Sequence, residues 1–402
     1  MNEFWEAKVK LDWATLGRSY DVVIIGGGGH GLSIAYHLAV RHGITNVAVI
    51  ERDYIGGGNS GRNTTVIRSN YGIPEAVRFY QRSIELYQQL EAETERWIMH
   101  SQRGLWWMTH TEAGRRNEMA RAAINQAFGA NTVFVEPEDI ARELPGVNLD
   151  VDGEFPVMGA SVQLDAATAR HDRVNWALAE GAMRAGVTIV QGVEVTGMIT
   201  ERERVVGVET TEGPVAAGTV VGAVGGHATS IASMAGVRLP IRTHPLQAFV
   251  TNHYERTFDP IVASAELGFY ISQTARGEML GGSHIEPQPS YSRRAGYDFI
   301  NEIAGRIVAL FPFMGHLRVL RQWAGICDMS PDYSPVMGRT SAPGFLVTTG
   351  WGTWGFKAIP AGGEAMAELI ATGETPELIA PFSIDRFRQD RTLADRGSSG
   401  TH

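Results

Sequence analysis

The first clear feature of the chain is Tyr20-Asp21-Val22-Val23-Ile24-Ile25, an apolar run that stops at glycine. Such a run predicts a strand covered on both faces, as in a parallel sheet. A helix is predicted from residue 31 to about 42, and Asn46-Val47-Ala48-Val49-Ile50-Glu51 predicts a second parallel strand, which together make one βαβ unit. Residues 74–97 read as a long amphipathic helix. Val77, Tyr80, Ile84, Tyr87 and Leu90 share a stripe expected to pack in the core, with Arg78, Arg82, Glu85 and Gln89 on other faces.

From 103 to 164 the signals are short and mixed, with Pro137, Pro145 and Pro156 as breakers. A helix at 172–185 and strands at 187–190, 193–195 and 205–208 follow, and a buried run at 219–226 ends on glycines. Further on, 268–272 predicts a strand, 297–309 a helix, 344–350 a strand and about 360–371 a helix. The resulting division is a discontinuous unit at 20–100, 165–235 and 320–385, and a second unit at 101–164 and 236–319. A polar leader at 1–19 and a polar tail at 386–402 flank them.

Gly26-Gly27-Gly28-Gly29-His30-Gly31 places Gly-x-Gly-x-x-Gly at Gly26, Gly28 and Gly31, between the first strand and the first helix. A helix N-terminus there offers N–H groups to a pyrophosphate, and glycine at 28 lets the phosphate come close; Gly29 and His30 lie in the same turn. Glu51 ends the second strand, where a carboxylate accepts from both ribose hydroxyls and disfavours a 2′-phosphate, and Arg52 follows it. This implies FAD or NAD and argues against NADP. A second glycine- and hydroxyl-rich loop at 55–65 favours FAD, because a flavin's pyrophosphate and ribityl chain continue past the nucleotide. Its candidate contacts are Asn59, Ser60, Arg62, Asn63, Thr64 and Thr65, then Val66 and Ile67. Gly350-Trp351-Gly352-Thr353-Trp354-Gly355-Phe356-Lys357, ahead of the last helix, is a third close approach. Its N–H groups and helix dipole suit negative charge on a reduced ring, and Gly352, Gly355, Phe356 and Lys357 are its candidates. Val195 completes the expected FAD contacts.

Composition narrows the partners. A net charge of -9 argues against a nucleic-acid polyanion, since phosphate binding needs clustered positive charge. The single cysteine, Cys327, excludes an intrachain disulfide and a Cys-rich metal site, so no metal is expected. The absence of a membrane-length apolar run, and charged residues such as Glu3, Glu6, Lys8 and Lys10 near the start, lead us to expect a cytoplasmic protein.

From about Tyr20 to Ala371 the chain resembles the flavoprotein family of D-amino-acid oxidases, glycine oxidase, dimethylglycine dehydrogenase and sarcosine oxidases. The stretch from Gly57-Gly58-Asn59-Ser60-Gly61-Arg62 to Ile67-Arg68-Ser69-Asn70-Tyr71 is similar to the beta subunits of heterotetrameric sarcosine oxidases, as is Thr168-Ala169-Arg170-His171-Asp172. Trp323-Ala324-Gly325-Ile326-Cys327-Asp328-Met329-Ser330-Pro331-Asp332 is similar to the wider sarcosine and dimethylglycine branch. The resemblance implies an α/β fold in which a Rossmann-like, glutathione-reductase-type FAD domain carries a second α+β substrate domain dominated by a mixed sheet.

It also implies oxidative demethylation of sarcosine with two flavins, FAD and an FMN attached covalently to His171, and with oxygen as final acceptor. Alpha, gamma and delta partner subunits are implied, the alpha subunit binding tetrahydrofolate. By the same resemblance Arg68 and Lys357 hold the substrate carboxylate, with Thr65 and Tyr71 in the substrate site. Arg170, and with it Arg318 and Arg321, would neutralise the FMN phosphate. The chain departs from the pattern at Ala166 and Ala167, where the family has glycines, and at Gly325, where monomeric relatives carry the cysteine that attaches FAD. Non-covalent FAD is therefore expected, with Cys327 an ordinary buried residue. Two other readings stay open: a dehydrogenase of dimethylglycine, proline or another secondary amino acid, and a flavin-binding scaffold subunit whose own site is idle.

Overall fold

Alternate residues of strand β1 (Ser19–Ile25) leave it in opposite directions. Val22 and Ile24 enter a core beneath helices on one face, and Val23 and Ile25 enter a second core on the other. That two-sided burial is why the run is apolar without interruption. The computed structural model describes residues 15–393 except 152, 154 and 258, so most of the expected leader and the end of the expected tail lie outside the described residues.

After β1 come helix α1 (Gly29–His42) and strand β2 (Val47–Glu51), which pairs parallel to β1 with Val23 level with Ala48. Helix α2 (Pro74–Thr94) leads to β3 (Leu105–Thr109), α3 (Glu112–Ala127), β4 (Thr132–Val135) and β5 (Gly159–Gln163). The chain returns through α4 (His171–Arg184), β6 (Thr188–Gln191), β7 (Val195–Glu201), β8 (Arg204–Thr210) and β9 (Gly213–Gly222). It leaves again through β10 (Arg242–His253), β11 (Ile261–Ser264), β12 (Phe269–Gln273), β13 (Glu278–Ile285), α5 (Tyr297–Leu310) and β14 (Val319–Met329). β15 (Val336–Arg339), β16 (Phe345–Thr349) and α6 (Gly355–Thr372) complete the first layer.

The first sheet runs β6-β2-β1-β9-β8-β7, with β16 parallel to the end of β9 and β15 beside β16. The second runs β14-β10-β13-β12-β11-β3-β5-β4 and is antiparallel except at β3 and β11. The architecture is thus a Rossmann-like layer joined to a mixed-sheet layer.

Four local expectations change. The 16-residue helix α3 was not foreseen, because its buried residues are Glu118, Arg121, Ala122 and Asn125 rather than an apolar stripe. The boundary expected at 320 falls inside β14, which pairs with β10 in the second sheet. Helix α6 starts at Gly355 rather than near Pro360. The Phe356 carbonyl, four residues before that proline, instead accepts from the Tyr87 hydroxyl at 2.6 Å. Tyr87, read as core packing alone, is therefore also a hydrogen-bond donor.

The fourth change concerns the tail expected from 386. Arg386 is buried and donates to both oxygens of buried Asp332, Nε to Oδ2 at 2.8 Å and Nη2 to Oδ1 at 2.9 Å. Burial alone would raise the Asp332 carboxyl. The bonds and charge of Arg386, with the N–H groups of Leu393 and Ser334, hold it below its ordinary value instead. Arg386→Ala leaves that carboxylate buried without its partner and is expected to cost about 3–5 kcal/mol in urea unfolding at pH 7. A carboxyl depressed in the folded state gives stability that is complete above its unfolded value of about 3.9 and fades as pH falls through the lower folded value. Wild type and variant should therefore converge in acid, and equal urea midpoints at pH 7 would refute the clamp.

Candidate active site

One cavity is lined by Glu51, Arg52 and Val195, by Gly26 and Gly28 of the turn from β1 into α1, and by Arg68, Trp107 and Tyr270, which mark its Arg68 end. No side chain caps α1 at Gly28, so that helix end faces the cavity with N–H groups free for an anion, apart from Gly29, whose N–H donates to Ser60 Oγ at 2.9 Å. A Cβ on Gly28 would meet only Ser60 Oγ, at 3.2 Å, whereas one on Gly31 would stand 2.0 Å from the Gly26 carbonyl oxygen. Gly28 thus keeps space open for a ligand. Gly31, which does not line the cavity, serves the packing of the turn itself.

Both Glu51 oxygens accept backbone N–H groups, from Gly27 at 2.7 Å and Asp53 at 2.9 Å, and each keeps further lone-pair capacity towards the cavity. Arg52 is joined to His227 at 2.9 Å.

The second loop is pinned by Asn59, which donates to the Ile326 carbonyl at 2.6 Å and accepts from its N–H at 2.9 Å. Arg62 donates to the Gly58 carbonyl at 2.7 Å, and its own carbonyl accepts from Trp323 Nε1 at 2.7 Å. Burial first, then the charges of Arg293 and Arg321, lowers the Arg62 pKa. Asn63 Oδ1 accepts from the Thr65 N–H at 2.7 Å, holding Thr65 at φ 66°, an unusual conformation for a β-branched residue. Thr64 donates to the Tyr270 hydroxyl at 3.1 Å. Val66 lines the cavity and Ile67 does not.

The third segment brings Gly352, Gly355, Phe356 and Lys357 to the same cavity. His30 stacks on Trp351 with centroids 4.1 Å apart and donates to the Gly355 carbonyl at 2.9 Å. Burial pulls the His30 pKa down to about 3, so the imidazole is neutral. His30, Thr348 and Trp351 line the cavity, and each has a buried polar atom without a protein partner. The turn, the open space at Gly28 and these polar atoms fit FAD.

At the far end Lys357 is buried, its ammonium donating to the Thr353 carbonyl at 3.0 Å, and burial with the nearby Arg68 charge pushes its pKa well down. Arg68 is buried too, bonded to Asn70 Oδ1 at 2.8 Å. Tyr71 does not line the cavity; its ring lies 4.4 Å below the Arg68 guanidinium and stacks on Tyr80.

Trp107, Tyr270 and His284 also line this end, and sequence reasoning missed them. They stand on strands whose pairing leaves no local motif. Cys327 lines the cavity as a buried thiol whose pKa is raised first by burial, then by Asp328, which keeps it protonated.

His171 and Arg170 do not line the cavity. They stand at the start of α4, where Arg170 pairs with Asp172 at 2.9 Å. His171 Nδ1 is buried without a hydrogen-bond partner. One turn on, Asn175 packs against Gly29 and Gly56 of the dinucleotide loops. Arg318 and Arg321 lie elsewhere, exposed at the start of β14. Among the described residues no three His, Cys, Asp or Glu side chains gather as a metal-ligand set, and no helix is long and apolar enough to cross a membrane.

Residues 21–369 match the family described as FAD dependent oxidoreductase. The chain belongs to that family. It is 41% identical over 382 residues to a sarcosine oxidase subunit beta of Arthrobacter sp, covering 95% of this chain and 94% of that one. A subunit of the same name from Rhodobacter capsulatus is 39% identical, covering 95% and 92%. Among solved structures, L-proline dehydrogenase from P. horikoshii superposes with a TM-score of 0.89 at 30% identity, covering 94% of this chain and all 100% of that one.

This family member should lose its cofactor on Gly28→Val while remaining folded, since only the ligand's space is filled. Glu51→Gln should weaken FAD by about 1.5–3 kcal/mol, the worth of charge-assisted hydrogen bonds. Flavin absorbance after desalting, beside circular dichroism, checks both; full FAD content in the two variants would contradict the placement.

Proposed function

We propose that the chain is the beta subunit of a sarcosine oxidase that binds FAD non-covalently along the cavity and the amino acid at its Arg68 end. The observation that carries the reading is one cavity joining a dinucleotide cradle to two buried basic side chains, Arg68 and Lys357. The products are glycine and formaldehyde, or 5,10-methylenetetrahydrofolate where a tetrahydrofolate-binding alpha subunit takes up the one-carbon unit. When bound, FAD would supply a hydride acceptor for the substrate's methyl group, and a covalent FMN would supply the route for the two electrons to oxygen, giving hydrogen peroxide.

The chain's own part is to place the amino acid. A guanidinium and an ammonium suit a carboxylate, the first in bidentate fashion. Burial, and after it the Arg68 charge, lowers the Lys357 pKa; a bound carboxylate would oppose both and so favour the charged ammonium. Thr65 and Tyr270 line the same cavity and would border the rest of the amino acid. The amine must be neutral to react, because a protonated nitrogen has no lone pair to assist loss of hydride.

The Nδ1 of His171, buried without a hydrogen-bond partner and 4.0 Å from Asp172 Oδ1, supports attachment of FMN there, one helical turn from the residue that touches the dinucleotide loops. Arg170 would serve the FMN phosphate, and Arg318 and Arg321, exposed at and just before the start of β14, would be further candidates for it. Alpha, gamma and delta subunits would complete a cytoplasmic heterotetramer. A second reading, a secondary amino-acid dehydrogenase that passes electrons to a carrier, is favoured by the likeness to L-proline dehydrogenase. Peroxide formation from sarcosine separates the two.

Arg68→Ala and Lys357→Ala are expected to retain flavin but slow anaerobic FAD reduction by sarcosine, with the wild-type rate rising with pH as the bound amine loses its proton. Unchanged reduction in both variants would place the carboxylate elsewhere. In a protease digest of the native complex, the peptide containing His171 should be heavier by one flavin mononucleotide. His171→Asn should remove that mass and abolish oxygen turnover while FAD remains reducible, and an unmodified wild-type peptide would favour the dehydrogenase reading.

A further inference from the structure

Helix α3 covers one face of the second sheet, yet its buried residues are Glu118, Arg121, Ala122 and Asn125. A helix in that place ordinarily buries leucine or isoleucine, and a buried ion pair is on average no more stabilising than apolar side chains of similar volume. The polar stripe therefore calls for a reason other than stability. Its contacts supply one.

Arg121 pairs with Glu118 at 3.1 Å, and both side chains are almost fully enclosed. The other Glu118 oxygen accepts from Ser161 Oγ at 2.6 Å, and Ser161 is the cross-strand partner of Trp107. The Arg121 guanidinium lies 5.5 Å from the centre of the Trp107 ring, and the Arg68 guanidinium lies 5.2 Å from the same ring. Asn125, on the same stripe, donates to the Tyr71 carbonyl at 2.6 Å. Two residues along β5 from Ser161, Gln163 accepts from the N–H groups of Ser69 at 2.9 Å and Asn70 at 3.1 Å. The loop that carries Arg68 is thus held from behind by α3 and β5. Burial raises the Glu118 carboxyl pKa against the opposing pull of Arg121, Ser161 and Arg68.

We propose that Glu118 and Arg121 are positioning residues that fix the Trp107 indole, and through it the Arg68 guanidinium, in the orientation that receives a substrate carboxylate. The inference rests on Arg68 being a carboxylate-holding cation. A cation held between an aromatic ring and the Asn70 carboxamide has few orientations left, so the order lost when the carboxylate docks is small. Loosening the indole returns that freedom to Arg68. Affinity then falls without any residue of the cavity wall being changed.

The decisive variant is the double replacement Glu118→Leu with Arg121→Met, made in the protein co-expressed with its partner subunits. It removes both charges together and leaves no lone ion buried. Thermal unfolding and FAD content should stay at wild-type levels. The sarcosine concentration that half-saturates anaerobic FAD reduction should rise about tenfold, while the limiting rate changes less than about twofold. In an Arg68→Ala background the same double replacement should add no further change, because the group it positions is gone. A double variant with wild-type half-saturation overturns the inference, as does an equal effect in the Arg68→Ala background. If Arg68→Ala alone leaves half-saturation unchanged, the carboxylate reading fails instead. Should the double variant not fold, Ser161→Ala, which frees Glu118 by one hydrogen bond, is expected to raise half-saturation about two- to threefold in folded protein, and no rise would overturn the proposal.

Discussion

The close crossing of α1 and α6 is the constraint on which the rest of the molecule depends. A Cβ on Gly363 would stand 2.0 Å from Ser33 Oγ and 2.7 Å from the Ser33 backbone carbonyl carbon, so only glycine there lets these helices approach so near. Their proximity brings two helix N-termini to one cavity. It stacks His30 on Trp351, sets the His30 ring against the Gly355 carbonyl, and brings Lys357 to the same cavity. Helix α2 then secures the arrangement from outside, with Ser83 and Tyr87 donating to the carbonyls of Lys357 and Phe356.

What was legible in the chain was whatever a short stretch states by itself. The glycines of 26–31, the apolar runs on both sides and Glu51 are neighbours in sequence and in space, so the dinucleotide turn could be read directly. Helix α3 could not be read, because a buried face of Glu118, Arg121 and Asn125 carries no apolar period. The start of α6 was misplaced because Pro360 signals a helix start, and the hydroxyl that satisfies the freed carbonyl comes from Tyr87, far back in the chain. Trp107, Tyr270 and His284 were invisible for a similar reason, since β3, β12 and β13 become neighbours only through sheet pairing. The motif residues at 170–172 were easy to see, whereas the structure sets Arg321 on a strand of the other sheet and Arg318 just before it.

Charge is distributed unevenly along the cavity. Near α1 the imidazole of His30 is kept neutral by burial, so attraction for a pyrophosphate there falls to backbone N–H groups and the helix dipole. Arg68 and Lys357 are both buried in the same cavity, and burial, then the Arg68 charge, lowers the Lys357 pKa.

The three stretches of backbone that enclose the cavity are contributed by residues near 26–31, 55–65 and 350–357, with the whole second sheet threaded between the last two. During synthesis the first βαβ unit emerges long before its third wall. The cradle cannot close on a flavin until α6 has left the ribosome, and the Asp332–Arg386 clamp comes later still. Closure of the cavity is in this sense one of the last events of its folding, although the turn at 26–31 is among the first parts made.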